Sequence, residues 1–80
     1  MEISLFDLQA GKKAAIKRLG NGLGFQKKLA SLNIRIGKTI RKVASQPFGG
    51  PVVIKIDNTE VTLGMKVARR IFVEESKTSR

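Results

Sequence analysis

The chain has 80 residues, with 16 Lys and Arg against 6 Asp and Glu, a formal net charge of +10. It contains no Cys and no His. That removes disulfides and thiolate metal sites, along with the commonest general base and the commonest transition-metal ligand. Hydrophobic residues are 41% of the chain, enough for one small aliphatic core but not for two, so residues 1–80 are read as a single domain. The longest apolar run, Pro51–Ile54, is far below the roughly 20 residues that span a bilayer. Met1–Gln9 is acidic and lacks the charged and apolar regions of a signal peptide, so a cytoplasmic location is expected.

In Ser4–Ala10 the spacing of Leu5 and Leu8 predicts a short turn of helix. Ser4 is its cap and Asp7 stands where Glu or Gln is usual. Gly11 ends it, and Lys13–Leu19 follows as a strand with Ala14 and Ile16 on one face. Leu19 breaks the alternation, which predicts a bulge or the strand end. Gly20, Asn21 and Gly22 form a loop by composition.

A helix is predicted from Leu23 to Leu32. Phe25, Leu29 and Leu32 lie on one face at i, i+4 and i+7, with Lys27, Lys28 and Ser31 on the other. So short a helix is not stable alone, and its apolar face must dock on something. Asn33 stands where a left-handed residue stops the helix, and Gly37 opens a turn.

Lys38–Ser45 reads as a strand, although the odd spacing of Ile40 and Val43 points to twist, a bulge or exposure on both faces. Gln46–Gly50 is a turn carrying Phe48 at its tip. Pro51–Asp57 is the clearest strand, with Val52, Ile54 and Ile56 facing one way. Asp57-Asn58 then predicts a hairpin into Thr59–Leu63. Gly64–Arg69 has room for a helical turn, Ile71 and Val73 close a last strand, and a polar tail over 75–80 is expected to fray. Short strands with one inserted helix and short helical turns make a mainly β fold, a small barrel.

No carboxylates form a spaced pair in apolar surroundings, and no Ser has a His partner, so an enzyme is not expected. Gly20, Gly22 and Gly24 resemble part of a phosphate loop but lack the rest of either nucleotide fingerprint. The basic pairs Lys12-Lys13, Lys17-Arg18, Lys27-Lys28, Arg41-Lys42 and Arg69-Arg70 are scattered over several elements and read as solvated faces. Without Tyr or Trp there is little surface on which bases can stack, so no sequence-specific nucleic-acid binding is expected.

The segments LFDLQAGKKAAIKRL, KLASLNIRIG, PVVIKI and TLGMKVARRIFV, in that order from Leu5 to Val73, resemble the ferrous iron transport protein A family. Lys28, Leu29 and Leu32 occupy the places of the family's Arg-Leu-x-x-Leu, with Asn33 for its Gly, Ile36 for its Pro and Gly37 for its Gly. Pro51 and Val52 match, Gly50 replaces the Asp before them, and Leu63, Ala68, Ile71 and Val73 match the closing segment. The resemblance implies an SH3-like β-barrel that is cytoplasmic and non-catalytic and carries no cofactor. Its implied partner is the membrane ferrous iron transporter with a cytoplasmic GTPase domain, which would hold it peripherally at the membrane. The same fold forms the C-terminal domain of iron-dependent repressors.

The leading expectation is therefore an accessory of iron uptake that docks on the transporter and modulates or assembles it. Gln26, Lys27, Lys28 and Arg35, with Phe48 on its loop and Leu29 beneath, form the expected contact surface, and no metal ligand is assigned. The alternatives are a basic nucleic-acid- or repressor-associated barrel module and a module that senses metal through carboxylates. An exposed edge strand near Ile71–Val73 would allow a second copy to pair.

Overall fold

In the computed structural model, which describes residues 1–45 and 50–76, the chain runs β1 (Ile3–Ser4), β2 (Lys13–Leu19), α1 (Leu23–Ser31), β3 (Thr39–Ser45), β4 (Val52–Ile56), β5 (Thr59–Leu63), α2 (Met65–Ala68) and β6 (Ile71–Glu75). The strands form one antiparallel sheet in the order β1-β6-β2-β3-β4-β5. Alternation decides which side of each strand is inside. Ala14 and Ile16 of β2, Val52, Ile54 and Ile56 of β4, and Ile71 and Val73 of β6 are all buried. Leu5, Leu8, Leu29, Ile34, Ile40, Leu63 and Ala68 complete the same core.

Turn chemistry sets the connections. Ser4 Oγ accepts from the Asp7 N–H at 3.2 Å and donates to the Asp7 carboxylate at 3.0 Å. Ser4 thus caps the Asp7 N–H as in a capping box, but Asp7 answers through the Ser4 hydroxyl and not its N–H, and the pair leads into the turn that seats Leu5 and Leu8. Asp57 and Asn58 both have positive φ, 50° and 67°. That defines the mirror-image type I turn, whose twist matches that of β4 and β5.

The stop after α1 has the geometry of a Schellman motif. The Ile34 N–H donates to the Leu29 carbonyl at 2.9 Å, the Asn33 N–H donates to Ala30 at 2.9 Å, and Asn33 has φ 68°. Leu29 and Ile34 are both buried, which supplies the apolar contact the motif usually carries. Gly37, at φ 96°, completes a tight turn in which the Lys38 N–H donates to Arg35 at 3.1 Å.

Four expectations are corrected. β6 is not an edge: it lies between β1 and β2, so Ile71–Val73 has no free side for a second copy. Glu75 does not fray, because it pairs with Ala14, and the Ser76 N–H donates to Lys13 at 2.9 Å. The helix ends at Ser31, and Leu32, 36% exposed, is only partly covered rather than core.

The fourth correction concerns Lys42, expected to be solvated but only 2% exposed. The odd spacing in β3 puts Ile40 and Val43 on opposite faces, and a bulge follows between Lys42 and Ala44. Lys42 precedes the bulge and shares the inner face with Ile40 by simple alternation, while Val43 is left 39% exposed on the outer face. Lys42 Nζ donates to the carbonyls of Leu5 (3.2 Å), Phe6 (2.8 Å) and Leu8 (2.5 Å). An ammonium has three donors and no acceptor, so three carbonyls satisfy it completely. Burial lowers its pKa below the ordinary lysine value, while the Asp7 carboxylate pulls in the opposite direction.

Candidate functional site

The loop before α1 is built around Arg70. Gly22, at φ 118°, takes a conformation closed to side-chain-bearing residues, and α1 starts there without a side-chain cap. A Cβ on Gly20 would stand 2.9 Å from Arg70 Nε, so the glycine leaves space for the guanidinium. Arg70 donates to the Asn21 carbonyl and lies over the Phe25 ring, 3.9 Å from its centre. Gln26 Nε2 donates to the Gly20 carbonyl at 3.0 Å. The glycines thus serve the turn and the approach of Arg70.

Held this way, α1 buries Leu29 and half-buries Phe25. Beside it runs a groove of about 100 Å³, lined by Phe25, Lys28, Leu29, Leu32, Thr62, Leu63, Gly64 and Val67. The space is on the scale of one aliphatic side chain. One wall belongs to β5, which among the described residues is paired only with β4. A two-residue hairpin makes Ile56 and Thr59 a hydrogen-bonded pair, so Thr59, Val61 and Leu63 spend their backbone groups on β4. Glu60 and Thr62 therefore direct their N–H and C=O groups to the open edge. Apolar floor, open strand edge and exposed lysine meet at this one place, which suits an extended segment added alongside β5. Leu23, 70% exposed, adds apolar surface at the start of the helix.

Of the residues expected at the contact surface, Lys28 and Leu29 meet in the groove. Gln26 and Lys27 are exposed on the same helix outside its lining, and the Gln26 amide is engaged by the loop. Arg35 is exposed in the turn after the helix. Phe48 lies outside the described residues. The groove also uses Phe25, Leu32, Thr62 and Leu63, which sequence reasoning assigned only to core or strand, and Val67 from the expected helical turn Gly64–Arg69. The spacing of Met65 and Ala68 signalled the helical turn that brings Val67 up, but not its neighbour across the groove.

Among the described residues no three Asp or Glu side chains lie together as a metal site. Most carboxylates are matched with cations, Glu74 with both Lys17 and the N-terminal ammonium (3.5 Å). Glu2 pairs with Arg18 at 3.1 Å, Glu74 with Lys17 at 3.8 Å, Glu75 with Lys12 at 3.6 Å and Asp57 with Lys38 at 2.5 Å.

A coiled six-stranded antiparallel sheet with one inserted helix defines an SH3-like barrel, and solved structures share it across nearly the whole chain. The crystal structure of an iron uptake regulatory protein (FeoA) matches with a TM-score of 0.86 and 25% identity, covering 95% of this chain and 99% of that one. The solution structure of iron(II) transport protein A from Clostridium thermocellum matches at 0.85 with 36% identity, covering 91% and 45%. A manganese-dependent transcriptional repressor matches at 0.85 with 24% identity, covering 94% and 42%, which is a likeness of fold. In sequence, a protein of Methanocaldococcus jannaschii named for Fe(2+) transport (protein A) is 28% identical over 67 residues, 84% of this chain and 79% of its own length. The FeoA domain model matches residues 3–75, and the chain belongs to that family.

Proposed function

We propose that this protein is a non-catalytic accessory of ferrous iron uptake. It acts in the cytoplasm by docking on the GTPase region of the membrane iron transporter. The observation that carries the reading is the groove between α1 and β5: apolar at its floor, open along a strand edge and bordered by Lys28. Membership of the FeoA family and the iron-transport names of its relatives supply the pathway. No described helix is long and apolar enough to cross a membrane. A partner segment with an aliphatic side chain for the groove and a carboxylate for Lys28 fits this surface.

Retention of the purified chain on the immobilised cytoplasmic domain of the transporter tests this. Wild type is retained and Lys28→Glu is lost, because the reversed charge repels the acidic segment and leaves the fold untouched. Equal retention of both removes the groove from the proposal. No retention of either removes the partner.

A further inference from the structure

The second feature is on the outer face of the sheet. Strand register places Lys13 of β2 opposite Arg41 of β3, and Arg41 opposite Lys55 of β4. Three cations on three adjacent strands stand in one line, all exposed, spanning about 10 Å between the outer Cα positions. The Lys42 N–H donates to the Lys12 carbonyl at 3.0 Å, which makes the next pair, Lys13 and Arg41, the non-hydrogen-bonded kind whose side chains stand closest. Directly opposed like charges destabilise a sheet. Among the described residues none of the three forms an ion pair. Glu60 is next in the row, opposite Lys55, yet it makes no ion pair either.

The row borders a hollow of about 370 Å³, lined also by Thr39, Ile40, Asp57 and Asn58. That volume is within the range of small-ligand sites. Asp57 is the one carboxylate in the lining, and Lys38 (2.5 Å) and the Asn33 amide already engage it. On the adjoining side of Lys13 and Arg41 lies Glu75, which Lys12 engages at 3.6 Å. Arg41 is steadied by its own bond to the Gly11 carbonyl at 3.3 Å. Thr39 and Asn58 add neutral donors. The lining has no aromatic ring on which a base would stack and no exposed apolar group that would enter a bilayer.

We propose that this hollow binds a short chain of phosphates, two or three joined through anhydride oxygens. Such an anion presents charge at intervals along a line, as the row does, and offers each cation its own oxygens for charge-assisted hydrogen bonds. The site is independent of the groove beside α1.

The test is a titration of the full chain, followed by amide NMR shifts at about 0.15 M salt, with orthophosphate, tripolyphosphate and ATP as separate probes. Tripolyphosphate is expected to bind at least about tenfold more tightly than orthophosphate, since it engages more than one cation at once. Its shifts are expected to cluster at Lys13, Arg41 and Lys55. Arg41→Gln and Lys55→Gln, on separate strands, each weaken it roughly fivefold, whereas Lys27→Gln on α1 leaves it unchanged. Equal affinity for ATP and tripolyphosphate supports the phosphate chain alone as the ligand, and tighter ATP supports a nucleotide source. Equal affinity for orthophosphate and tripolyphosphate overturns the proposal, as do shifts spread over Lys27, Lys28 and Lys66. Sedimentation with phosphatidylglycerol vesicles in the absence of a tripolyphosphate response overturns it in favour of a membrane surface.

Discussion

The groove beside α1 and the cation row on β2, β3 and β4 recognise by different physics. The groove is defined by shape: a helix seated by Leu29, an aromatic ring under Arg70 and a strand edge with unspent backbone groups. The row is defined by register alone, because its side chains are long and exposed and touch little of the core. Damage to the first should therefore cost stability and docking together. Damage to the second should separate them, since removing a repelled charge relieves the fold while it weakens the ligand. Salt divides them further: exposed charges are screened within about 10 Å at 0.1 M, while burial of an aliphatic side chain is not.

The largest expected effect is on the groove side. Leu29→Ala deletes a buried side chain that seats α1 and closes the Schellman contact with Ile34. Urea denaturation should show a loss of about 3 kcal/mol, and retention on the transporter domain should fall with it. An unchanged midpoint would mean that the helix is not seated by this residue.

Next comes the support beneath the row. Lys42→Met keeps the aliphatic stem but takes the ammonium from three carbonyls of the first turn, leaving those of Phe6 and Leu8 without a donor. The expected cost is about 2 kcal/mol. The same substitution carries a pH signature. Burial lowers the pKa of Lys42 in the folded chain. Below the folded value both states hold the proton and stability is flat. Between the folded value and the ordinary 10.5, the unfolded chain binds the extra proton, so stability rises with pH. Wild-type unfolding midpoints should therefore gain at alkaline pH relative to Lys42→Met, and parallel profiles would refute the assignment.

Smaller is the effect at Asn33, which links the helix stop to the hairpin by its bond to Asp57. Asn33→Ala forces a Cβ-bearing residue without a local hydrogen bond into the left-handed region, for about 1 kcal/mol. Asn33→Gly keeps the backbone conformation, so its thermal midpoint should lie between those of Asn33→Ala and wild type. Smallest, and opposite in sign, is Arg41→Glu. It converts the row to alternating charge and should stabilise by about 0.5 kcal/mol while abolishing the tripolyphosphate response. A loss of stability would show that Arg41 belongs to the scaffold.

Much of the scaffold was legible because short-range rules govern it. Period-two alternation located β2 and β4, Asp57-Asn58 announced the hairpin, and Asn33 announced the end of α1. The candidate site was legible only in part. Lys28 and Leu29 were read from the helix face, but the far wall of the groove comes from residues some thirty positions later. Gln26 is exposed, yet its amide is already committed to its own loop through the Gly20 carbonyl.

The residues alone determined a single aliphatic core, a chemistry without thiol or imidazole, a helix stop at Asn33 and a strongly basic surface, because composition, periodicity and turn preference are properties of the local chain. Strand order and the covered face of β3 were decided only when the chain closed on itself. Strand order moved the open edge from β6 to β5 and set Lys13, Arg41 and Lys55 in one row. Alternation along β3 separates two adjacent cations, sending Arg41 to solvent and Lys42 inward to the carbonyls of Leu5, Phe6 and Leu8. The lysine on the inner face of β3 is satisfied only by partners brought from more than thirty positions away.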